Sequence, residues 1–226
     1  MRIKVGPHSK LLSLEMTASS RKQFDEVFQK LEKLGLLLLS DVNLPSIATL
    51  VAGEKVSGSW WSHKAAQRIF AVSELLEDHP DVLVMKLVSN KVTFVHRELW
   101  GHIYSIGVAR EDWQLKKLSP VAKQLLKALD DQGSLQTNKL GKKFGPKPAD
   151  TARELESRLL LHASQMHTES GAHATVIETW PTWAERAKLR GKAKNPATAR
   201  HFLEQRLAEI NDEFSGKGKL PWPPRA

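Results

Sequence analysis

The sequence predicts a mainly α-helical fold with small β-hairpins, the α+β class. Three observations predict it. Apolar residues recur at helical spacing over most of the chain, two stretches approximate strand alternation, and a helix–helix–helix–hairpin order occurs twice. A length of 226 residues allows one large domain or two small ones, each able to bury a core. With 41% apolar and 26% charged residues, the composition is that of a globular protein. There is no cysteine, which excludes disulfides and thiolate zinc sites. The opening MRIKVGPHSKLLSLEM carries Lys and Pro and lacks the long apolar core of a secretory signal. The longest apolar run, Leu36 to Leu39, is far short of the ~20 residues that span a bilayer. These features lead to the expectation of a soluble, cytoplasmic protein with no membrane partner.

In the first half, Ser20 and Gln23 have capping-box spacing. Phe24, Val27, Phe28, Leu31 and Leu34 then form a helical stripe that Gly35 ends. Pro45 to Val51 suits a short helix with Pro45 at its first position and Gly53 closing it. The loop GEKVSGSWWS leads to a third helix, about His63 to Glu77, with Ala66, Ile69, Phe70, Ser73 and Leu76 on one side. Val82 to His96 reads as a hairpin turning at Ser89-Asn90. Leu99, Trp100, Ile103 and Tyr104 mark a connecting helix that fades near Arg110.

The second half repeats the order. Ser119-Pro120 is a strong helix start, and Val121, Leu125, Leu126 and Leu129 make the buried stripe that Gly133 ends. Thr137 suits the cap of a short second helix with Leu140 and Phe144 inward. Pro146-Lys147-Pro148 makes a rigid turn into a helix of about Ala149 to Arg158. Leu159 to Met166 and Ala172 to Thr179 read as strands around the loop HTESGA. The final part, Trp183 to Phe214, is helical and basic, and residues 215–226 read as a loose tail. The order implies tandem winged-helix modules plus C-terminal helices. The expected divisions are 1–110 for an N-terminal winged-helix-like domain, 111–182 for a central one, 183–214 for a basic helical segment, and 215–226 for the tail.

Charge points to a polyanion. Lys and Arg total 34 against 25 Asp and Glu. Lys139, Lys142, Lys143 and Lys147 lie in a run from Gln136 to Lys147 that contains no acid. In a winged helix the third helix enters the major groove while neighbouring segments touch the backbone. These lysines are therefore expected on phosphates, with Arg153 and Arg158 towards the groove and Thr168 to Gly171 as the wing. Thr182 to Arg206 carries seven basic residues against two acidic ones; Arg186, Lys188, Arg190 and Lys192 suit a clamp along phosphates or a solvated loop equally.

Trp60 and Trp61 are adjacent, so one of them is a stacking candidate for an unpaired base. The favoured alternative packs both beneath the loop as anchors. His162, His167 and His173, with Glu169, flank the second hairpin without HxH or HExxH spacing, so no metal is expected. No phosphate-cradling loop, GxGxxG or GxSxG occurs, and no cofactor is expected.

The segments SPVAKQLLKAL, LGKKFG, RELESRLLLHAS, HTESGAH and ETWPTW resemble the winged-helix DNA glycosylases related to AlkZ, which remove damaged bases. They cover mainly residues 119–183. The resemblance implies contact with DNA. It also implies a catalytic Gln-x-Gln or Gln-x-Asp motif, which the chain is expected to lack. The resulting expectation is a winged-helix protein that binds duplex DNA without catalysis, as a regulator or repair accessory. The rivals are an enzyme on damaged DNA or RNA, with its site near Trp60, Trp61 or His63, and a protein–protein adaptor.

Overall fold

The computed structural model describes residues 18–167 and 173–223. Its architecture follows from a motif used twice. In the first unit, α1 (Ala18–Leu34) is followed by β1 (Leu36–Leu38), α2 (Ile47–Ala52), α3 (Ala66–Glu77), β2 (Val82–Lys86) and β3 (Val92–His96). The strands form one antiparallel sheet in the order β1-β3-β2, with Leu37 opposite Phe94 and Val84 opposite the same residue on the other side. Two helices, α4 (Trp100–Ala109) and α5 (Asp112–Leu115), then lead to the second unit. It runs α6 (Pro120–Gln132), β4 (Ser134–Gln136), two single 3-10 turns, α7 (Pro148–Glu156), β5 (His162–His167) and β6 (His173–Glu178). Its sheet has the order β4-β6-β5. The chain ends in α8 (Trp180–Arg186) and α9 (Pro196–Phe214). Mainly α-helical structure with two small antiparallel sheets is thus what the periodicity predicts. No helix among the described residues is long and apolar enough to cross a membrane.

Several local expectations change. The chain is already helical at Ala18, so Ser20 lies inside α1 and is not its cap. Ser46 caps α2 by accepting from the Thr49 amide at 3.2 Å, and Pro45 stands just outside. Ser119 caps α6 with Pro120 in its first turn, as expected, and accepts from the Ala122 amide at 3.1 Å. Each unit also contains a three-residue strand, β1 and β4, where only helices and a hairpin were expected.

The described residues form two apolar cores. The smaller joins Leu125, Leu126 and Leu129 of α6 to Phe144, Leu155, Leu160, Leu161 and Ile177. The larger begins with Leu31, Leu37, Ile69 and Phe94 of the first unit. It also takes in Trp180 and Trp183 of α8, Ala199, Leu203, Leu207 and Ile210 of α9, and Trp222. The segments expected as a separate basic piece and a loose tail are therefore part of the first core. Trp222 is buried and its Nε1 donates to Glu204 Oε1 at 2.7 Å, while the Ser89 amide donates to the Lys219 carbonyl at 2.7 Å. The flexible tail placed at 215–226 is corrected through residue 223; the remaining three residues lie outside the described part.

The units meet around Trp180. Its Nε1 donates to the Leu159 carbonyl at 2.7 Å, and its ring meets Trp183 edge-on at 5.4 Å between centroids. Gly107 of α4 lies against that ring; a Cβ there would sit 2.3 Å from Trp180 Cδ1. Arg110 and Asp130 form a bidentate ion pair, and Lys86 Nζ reaches Glu156 Oε2 at 3.4 Å.

Candidate nucleic-acid interface

The acid-free run of the second unit does not form the short α-helix expected after Thr137. It makes two single 3-10 turns, Thr137–Lys139 and Lys142–Phe144. Gly141 between them and Gly145-Pro146 after them stop either turn from propagating. Phe144 anchors the loop in the core, and Thr151 Oγ1 of α7 donates to its carbonyl at 2.7 Å. Gly145 has φ +103° and a Cβ there would meet Thr151 Oγ1 at 3.0 Å, so this position requires glycine. Lys139, Lys142, Lys143 and Lys147 are all exposed, and none has an ion-pair partner among the described residues. Lys143 Nζ lies 4.9 Å from the Phe144 ring centre.

The arginines of α7 are differently placed. Arg153 is exposed and its Nη1 pairs with Asp150 Oδ1 at 2.5 Å. Arg158 turns inward: its Nη1 donates to the carbonyls of Trp113 and Lys116, both at 2.9 Å. Its guanidinium closes the end of α5, so a role for Arg158 in a groove would cost those bonds. Glu154 accepts from both the amide and the hydroxyl of Ser119, at 2.8 and 2.7 Å, and ties α7 to the start of α6. The expected wing, Thr168 to Gly171, lies outside the described residues, as does Glu169. His167 and His173 are register partners at the base of that loop.

The C-terminal basic stretch divides in the same way. Arg186 grips the buried Glu178 through Nε at 3.2 Å and Nη2 at 2.5 Å, and His162 Nδ1 lies 3.0 Å from the same carboxylate. Burial pushes the Glu178 pKa up, but hydrogen bonds from His162 and Arg186 and the Arg186 charge outweigh it and hold the group below its ordinary value. Lys188, Arg190 and Lys192 are exposed on the loop between α8 and α9 and have no ion-pair partner among the described residues. Lys188 has φ +53° and Gly191 φ +105°, which bend this loop. Its far end is pinned where the Lys194 amide donates to Ser105 Oγ at 2.8 Å and Lys194 Nζ meets His102 Nε2 at 2.8 Å.

His102 is buried, stacks on Phe202 at 4.2 Å between ring centres, and has its pKa lowered by desolvation first and the Lys194 ammonium second. An imidazole whose pKa is lowered in the folded state and ordinary in the unfolded chain means that the unfolded state binds more protons as pH falls through about 6.5. Stability is therefore expected to fall as pH drops through that value. Urea midpoints at pH 7.5 and 5.5 check this, with His102→Gln expected to show the smaller drop; an equal drop in the variant contradicts it.

Trp60 and Trp61 form a 3-10 turn, Trp60–Ser62, and stack on each other at 4.0 Å between centroids with 25° between planes. Trp60 packs against the first core, whereas Trp61 is 61% exposed. The expectation that both are buried anchors is thus corrected: the short turn directs only one ring inward. Phe70, expected on the inner side of α3, is 40% exposed and lies 5.5 Å from Trp61. Ile69, Val72 and Leu76 define the inner face, and Phe70 is one helical step round from Ile69.

The glycosylase motif expectation also changes. Gln-x-Gln is missing, but Gln23-Phe24-Asp25 has Gln-x-Asp spacing. It lies near the start of α1, with Gln23 half-buried and Asp25 exposed, outside the segment that carries the resemblance. Neither residue lines either of the two described cavities. One, of about 80 Å³, lies between Gly107, Arg110, Leu160 and Pro181; the other, of about 330 Å³, lies between Lys86, Ser89, Asn90, Ser157 and Lys219. Among the described residues no three His, Cys, Asp or Glu side chains are grouped to hold a metal ion.

A family model described as AlkZ related matches residues 21–218. No curated protein matches the chain, and no solved structure does.

Proposed function

Since the chain belongs to the AlkZ-related family, we propose that it is a tandem winged-helix protein that binds duplex DNA and serves as a non-enzymatic regulator or DNA-repair accessory. The supporting observation is a repeated order of helix, strand, a short helix or 3-10 turns, helix and two strands, with the same strand arrangement in both sheets, and in the second unit a run of exposed lysines without ion-pair partners among the described residues just ahead of α7. Lys139, Lys142, Lys143 and Lys147 contact phosphates as point charges, which supplies affinity more than sequence reading. Lys188, Arg190 and Lys192 add a second phosphate contact. Arg153 is the α7 side chain left to face a groove, after it parts from Asp150. The domains are then 1–110 and 111–182, with the C-terminal helices docked on the first.

Binding by lysines releases counterions, so log affinity for a duplex should fall linearly with log salt, by about 0.9 for each phosphate contacted. Fluorescence anisotropy with a labelled duplex measures this, and the absence of binding at low ionic strength rules the proposal out. A second reading, excision of damaged bases, has the family relationship and the Gln23-Phe24-Asp25 triplet behind it. Incubation with lesion-bearing duplexes separates the two: released base, abolished by Gln23→Ala, favours the enzyme.

A further inference from the structure

We infer that Trp61 and Phe70 form a stacking platform for an unpaired nucleobase, giving the first unit a preference for duplexes with a flipped, bulged or single-stranded position. The inference rests on the DNA-binding reading above and adds to it a site in the other unit.

Three observations converge on this surface. Trp61 is 61% exposed and Phe70 40%, and their ring centres are 5.5 Å apart at 38°. Large aromatic surface left in water is costly, roughly 25 cal/mol per Å² of apolar area, so two neighbouring rings left there call for an occupant. Second, Trp60 stacks beneath Trp61 and itself packs on the first core, which fixes the outer ring to the body of the protein. A ring supported in this way and left 61% exposed offers aromatic surface to a partner, and every base has a π-face to match it. Third, charge selects the occupant. From Lys55 to Phe70 the chain carries Lys55, Lys64 and Arg68 and no acid. Lys64 is shared with Glu54 at 3.0 Å; Lys55 and Arg68 are exposed without an ion-pair partner among the described residues. Cations in the segment that carries the two rings fit a base that remains attached to its phosphates. An apolar protein surface would gain nothing from them.

The site is carried by the start of α3 and the turn just before it, whereas the exposed lysines of the second unit precede α7. The two surfaces therefore have separable signatures. Lysine contacts act on any duplex, and stacking acts only where a base is out of its pair.

The test compares a fully paired duplex, the same duplex with one bulged base, and a single strand, all at one salt concentration. The full-length protein is expected to prefer the bulged duplex and the single strand. Trp61→Ala and Phe70→Ala are each expected to weaken those two by about 5- to 150-fold, matching 1–3 kcal/mol for a stacked base, while affinity for the paired duplex stays within about two-fold. Trp61→Phe should restore most of the preference. Both positions are exposed, so circular dichroism melts of the variants should match the parent. No preference for the unpaired base, or a preference unchanged in both variants, overturns the inference while leaving salt-dependent duplex binding intact. Absence of binding to every probe overturns the DNA-binding reading as well.

Discussion

Trp180→Ala is expected to cost about 3–5 kcal/mol, a large part of the 5–15 kcal/mol that holds a typical domain together. The residue is 1% exposed and among the largest fully buried side chains described. Truncation leaves a cavity beside Trp183 and removes the donor to the Leu159 carbonyl, an acceptor at a point where Leu159 already holds φ +54°. The two losses add, because neither neighbour relaxes freely: Leu159 belongs to the larger core and Leu160, next to it, to the smaller. Trp180→Phe keeps an aromatic ring and loses the N–H, and should cost less, about 1–2 kcal/mol. Gly107→Ala attacks the same contact from the other side, since its new Cβ would overlap the indole. Urea unfolding followed by circular dichroism reads all three as shifts in midpoint. A midpoint for Trp180→Ala equal to the parent's would show that the tryptophan does not join the units.

The second large effect concerns binding. Replacing Lys139, Lys142, Lys143 and Lys147 together with Ala should reduce the salt slope for duplex DNA by about 3 to 4 and leave the fold unchanged, because all four are exposed and have no ion-pair partner among the described residues. Arg158→Ala makes the contrasting control. Its guanidinium serves the carbonyls of Trp113 and Lys116, so its loss should lower stability more than affinity. A salt slope unchanged in the four-fold variant would move the phosphate contact elsewhere, first to Lys188, Arg190 and Lys192.

The helices were legible because their signals are dense. Ser119-Pro120, the stripe from Leu125 to Leu129 and the closing Gly133 agree with one another, and α6 has these bounds within a residue. β1 and β4 were not legible, since three residues cannot display an alternation, and Leu36 to Leu38 are all buried. The run after Gln136 misled for a different reason: its apolar residues have helical spacing, but Gly141 and Gly145 break it into single turns. Charge in the sequence located the exposed lysines. It could not distinguish Arg186 and Arg158, which are bound internally, from Lys188 or Arg190, which have no ion-pair partner among the described residues, because the partners lie across the fold in Glu178 and in backbone carbonyls. The pairing of Phe70 with Trp61 depends on how the turn at Trp60 meets α3, a geometry with no periodic trace.

The return of α9 and Trp222 to the first core has a consequence for synthesis. Ribosomes deliver the N-terminal residues first, and a self-contained unit would settle while the rest is still being made. Here the surface formed by α1 to β3 waits for Leu203, Leu207, Ile210 and Trp222, all of which are made more than a hundred residues after β3. Nascent chains stalled before α9 should therefore display sticky apolar surface and attract chaperones, whereas the second unit, closed by its own residues, matures without waiting.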